Sequence, residues 1–94
     1  MYEDQDKIHK VLISLTIEKA LLDVGKLIYE NVVNTLEKKY HCTIEDCYDH
    51  PQYLREILDS LDKAGDVILV SLKKDLDRFR NIDKIEEFLQ CIGQ

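Results

Sequence analysis

From Ile17 to Tyr40 the apolar residues recur at steps of three and four: Ile17, Ala20, Leu21, Val24, Ile28, Val32, Thr35 and Leu36. Only a helix brings that spacing onto one side of the backbone. The pattern therefore predicts one long helix over about residues 17–40, about 36 Å in length. Thr16 is placed to cap its start, with Glu18 near the positive end of the helix dipole and Lys38 and Lys39 near the negative end. Leu22, Leu27, Tyr29 and Val33 lie off the main stripe, so the apolar surface is wider than one packing partner requires. Gly25 interrupts the pattern at a cost of about 1 kcal/mol against alanine. Two readings are open for it: close approach of another helix, or simple tolerance.

Ile8, Val11, Leu12 and Leu15 repeat the helical spacing upstream. The branched residues between Val11 and Ile17 would also suit a buried strand, but nothing in the chain offers it a partner strand. Helix is the favoured reading over the strand, and since no Gly or Pro separates Leu12 from Ile17, residues 5–15 as a helix are either separate or part of one helix of more than 30 residues. Downstream, Tyr53, Leu54, Ile57, Leu58 and Leu61 form a stripe opened by Pro51, with Asp49 and Gln52 at capping-box spacing. Lys63, Ala64 and Gly65 read as its end, and Asp66 as the cap of a fourth helix turning Val67, Ile68, Leu69, Leu72, Leu76 and Phe79 inward. Asn81 and Asp83 break and restart the chain before a short helix over 83–92. The expected fold is all-α, a compact bundle of four to five helices in a single 1–94 domain. It comprises a 1–16 N-terminal extension, a 17–79 core and the short last helix, with Leu36, Leu58 and Leu72 on inward stripes.

Ninety-four residues support one modest core, burying roughly 65% of the unfolded surface. That size, with apolar residues on more than one helix face, leads us to expect a homodimer. A formal charge of −6 opposes binding to nucleic acid. No apolar run approaches the roughly 20 residues that span a bilayer, and Met1 is followed by acidic residues in place of a basic, then apolar, leader. A cytoplasmic protein with no membrane partner is expected. The odd count of three cysteines suits free thiols in a reducing compartment.

The run from His41 to Pro51, H-C-T-I-E-D-C-Y-D-H-P, gathers most of the chemically versatile side chains. Its spacing, H-C-x4-C-x2-H, offers thiolates and imidazoles, the donors zinc prefers. One reading is thus a zinc-binding or metal-responsive domain using His41, Cys42, Cys47 and His50. Structural zinc sites, however, draw their ligand pairs from separated segments, and Thr43 and Asp46 have the spacing of a capping box that would turn Cys47 away from Cys42. The favoured reading buries both cysteines beneath the connection, with His41 at one helix end and His50 at the start of the next. His50 and Tyr53 then form a partner-facing or structural junction, which requires both to be largely buried. Cys47 and His50 do not make a catalytic pair without a cleft and an oxyanion site, neither of which the sequence supplies, and no enzyme activity is expected. His9 reads as a solvated side chain, and Glu45, Asp46 and Asp49 as caps.

The strings A-L-L-D-V-G-K-L-I-Y-E-N-V-V, K-K-Y-H-C-T-I-E-D-C-Y-D-H-P-Q-Y-L and S-L-K-K-D-L resemble a small domain family of archaeal, particularly thaumarchaeal, proteins with no assigned function. The resemblance covers about residues 17–79. It implies an archaeal source and an all-helical fold, and it transfers no catalytic residue and no cofactor. The expected function is a self-associating interaction or regulatory module with a further protein partner.

Overall fold

The structure, a computed structural model, describes residues 2–93; Met1 and Gln94, the ends of the expected 1–94 domain, lie outside them. Five α-helices are present: α1 (Tyr2–Val24), α2 (Lys26–Thr35), α3 (Pro51–Ser60), α4 (Lys63–Leu76) and α5 (Asp83–Gly93). Among the described residues there is no strand, and the all-α bundle is as expected. Helix α1 sets the long dimension of a molecule measuring 37 × 26 × 21 Å.

The helix expected over 17–40 is redrawn at both ends. Its start moves back to Tyr2, so residues 5–15 belong to the same helix, and Thr16 caps nothing. Instead the Thr16 hydroxyl donates to the Leu12 carbonyl at 2.7 Å, the local bond a mid-helix threonine makes to its own preceding turn. The helix then stops at Gly25, whose backbone is extended (φ 163°, ψ 150°). No atom lies within 4 Å of the place a Cβ would occupy, so close approach is not its reason. Breaking at Gly25 sends α2 back beside α1, where Val32 and Leu36 join Ile13, Ile17, Ala20 and Leu21 in one buried cluster. A straight helix would leave that second set of apolar residues in water. Closing the core outweighs the helical hydrogen bonds given up at the break, and glycine is where the break costs least.

Helix α2 runs into a π turn (Leu36–Tyr40) capped by His41 in the left-handed region (φ 54°, ψ 40°). After a 3-10 turn (Ile44–Tyr48), Pro51 opens α3 with His50 as its N-cap residue. The Asp49–Gln52 box does not form, since α3 has no side-chain cap; Asp49 pairs instead with Lys10 of α1 at 3.4 Å.

Lys63, Ala64 and Gly65 begin α4 where they were expected to end α3, and Asp66 sits inside its first turn. The reversal occurs at Asp62 (φ 54°). Gly65 is needed for contact: a Cβ there would collide with the backbone carbonyl of Leu58 in α3, lying 2.8 Å from its carbonyl carbon. Helix α4 runs antiparallel to α1, with Lys19 paired to Asp75 at 4.0 Å and Leu12 near Phe79. Ile68, Leu72 and Leu76 are buried, whereas Val67, expected inward, is exposed. Helix α5 closes the core with Ile85, Phe88, Leu89 and Ile92, and Arg55 of α3 donates to the Cys91 carbonyl at 3.4 Å.

Candidate functional site

The connection from His41 to His50 is built around a short local lock. Thr43 donates its N–H to Asp46 Oδ2 at 2.9 Å, and the capping box expected from their spacing is formed. The 3-10 turn it starts carries Ile44, Cys47 and Tyr48 into the core, so the buried reading holds for Cys47; Cys42 is half-buried. Burial, with smaller contributions from Cys42 and Asp46, pushes the Cys47 thiol from its ordinary 9.0 up to about 12. The Cys42 thiol donates to the Tyr40 carbonyl at 3.1 Å. His41 and His50 are exposed. The proposed zinc ligands are thus divided between core and surface. Among the described residues no group of three or more His, Cys, Asp or Glu is placed to hold a metal ion. His9 is half-buried, against the solvated position expected of it.

Tyr40, Tyr53 and His50 form a ladder of stacked rings at the mouth of this connection. Tyr40 and Tyr53 have centroids 4.4 Å apart, and His50 stacks on Tyr53 at 5.1 Å. Beyond Tyr40 the hydroxyl donates to the Glu56 carboxylate, and that bond, more than burial, lifts the Tyr40 hydroxyl to about 12. The junction reading is corrected in one respect: His50 is exposed and Tyr53 half-buried, so the chain by itself does not bury them. The imidazole is held by ring contact in place of burial, and the Tyr40 contacts with Tyr53 and Glu56 tie α3 to the π turn.

Two surfaces stand out that the motifs did not single out. The first is an open groove of about 810 Å³ between α1 and the returning α2. Ser14 and Glu18 form one wall, Tyr29, Val33 and Glu37 the other, and His41, Cys42, Thr43, Ile44 and Glu45 close the end. Neither lysine nor arginine lines it, and its three glutamates join no ion pair among the described residues. The second is the outer face of α1. Ile8, Val11, Leu15 and Leu22 are 65, 44, 59 and 45% exposed and share one side of the helix, opposite the buried Ile13, Ile17 and Ala20. Helix α1 is therefore apolar on two opposed faces, only one of which the core covers. The spacing of Ile8, Val11 and Leu15 held this signal, and Leu27, 81% exposed, continues the off-stripe set noted above.

No helix among the described residues is long and apolar enough to cross a membrane. Comparison of the chain with protein-family models, with curated proteins and with solved structures finds no match.

Proposed function

We propose that this chain is a helical interaction module that self-associates through the outer face of α1. One observation carries the reading: Ile8, Val11, Leu15 and Leu22 follow three-, four- and seven-residue steps on the side of α1 away from the core. That is the seam spacing with which one helix packs on another. A helix that is apolar on two opposed faces is normally covered on both. Covering four half-exposed aliphatic side chains on each of two copies is worth roughly 8 kcal/mol before the cost of association is subtracted. The balance favours a weak dimer whose population rises with concentration, not an obligate one. A two-fold contact places the same stripe on both sides, so no further element is needed to complete it.

Light scattering over a concentration series is the test. The parent chain should move from monomer toward dimer mass as concentration rises, and Leu15→Glu should remain monomeric with unchanged helical circular dichroism. A parent still monomeric at about 1 mM, where even weak pairs form, would overturn the reading.

A further inference from the structure

The groove between α1 and α2 has features that self-association does not use. Glu18, Glu37 and Glu45 stand around it without cationic partners, and half-buried Tyr29 and Val33 supply an apolar strip along its α2 wall. Along α2 the wall from Tyr29 to Glu37 extends about 12 Å, the length of about four residues of extended chain. Carboxylates spaced around an apolar strip complement a segment in which basic and apolar side chains alternate, since alternate residues of an extended chain point to opposite sides. From this charge complementarity we propose that the groove docks a short, extended, basic segment of a partner protein, its cationic side chains meeting the glutamates and its apolar ones meeting Tyr29 and Val33. The docked segment lies beside Ser14 and Glu18, and the outer stripe of α1 remains open for a second copy.

The test uses the full chain and a fluorescently labelled peptide alternating arginine with leucine, read by anisotropy. Saturable binding is expected, with none for the matching glutamate–leucine peptide. Raising salt should weaken it, because the contacts are solvent-exposed. The double variant Glu37→Lys, Glu45→Lys should weaken binding by about tenfold. The control Asp59→Lys, Glu87→Lys changes the net charge equally at exposed sites on α3 and α5 and should leave affinity nearly unchanged. Equal weakening by both double variants would reduce the effect to the overall negative charge and overturn the assignment, as would failure to saturate. Binding should persist in Leu15→Glu; its loss there, or competition as protein concentration rises, would mean that a second copy occupies the groove, and would equally overturn it.

Discussion

Cys47 is the side chain whose chemistry the fold alters most. Its thiol lies in the core and titrates near 12, against 9.0 for an ordinary thiol, with burial the main cause. At pH 8 a thiol reagent should modify half-buried Cys42 and Cys91 while Cys47 reacts only as the chain unfolds. Equal rates for all three in the native protein would contradict its burial. The sign of the pH effect follows from the same shift. Between about pH 9 and 12 the unfolded chain loses a proton that the folded chain keeps, so stability falls as pH rises through that window. Tyr40 acts in the same direction from its ordinary 10.0 to about 12. The burial of Cys47 was legible because a cysteine in a short connection between helices packs as a small apolar side chain, and its turning away from Cys42 because Thr43 and Asp46, three residues apart, specify their turn locally. The exposure of His50 was not, because it depends on where α3 lies relative to the π turn, which no local spacing encodes.

Among the elements, neither interior glycine has a role that its surroundings in sequence suggest, those of Gly25 leaving close approach and tolerance open and those of Gly65 reading as a helix end. Gly25 ends a helix with open space around it, and Gly65, which looked like a helix stop, lets α4 lie against the backbone of α3. Gly65→Ala should therefore cost about 3 kcal/mol or more, since the obstruction is a carbonyl that cannot swing aside. Gly25→Ala should change stability by less than about 1 kcal/mol. Denaturant melts of the two variants measure this directly, and a mild effect at Gly65 would mean that α3 and α4 are further apart than described. Helix type and the last helix, Asp83–Gly93, were readable from apolar spacing. The boundaries at Thr16, Gly25 and Gly65 were not, because each is decided by which surface the segment must reach.

For the molecule as a whole, Leu36, Leu58 and Leu72 join α2's π turn, α3 and α4 in one core, as their stripes indicated. Truncating any one to alanine should cost about 2–5 kcal/mol, a large share of the stability available to so small a domain. Losses below about 1 kcal/mol at all three in urea melts would place the core elsewhere. The N-terminal stripe shows where periodicity runs out. Ile8, Val11 and Leu15 satisfy the helical rule as well as Ile13 and Ile17 do, and only the position of α2 and α4 decides which set is covered. The single extended residue at Gly25 has a last consequence. Were that residue to become helical, α1 and α2 would form one rod, carrying Val32 and Leu36 out of their own core. Two such rods could each fill the vacancy left in the other, so the hinge that closes one chain also marks the point at which two chains could exchange segments.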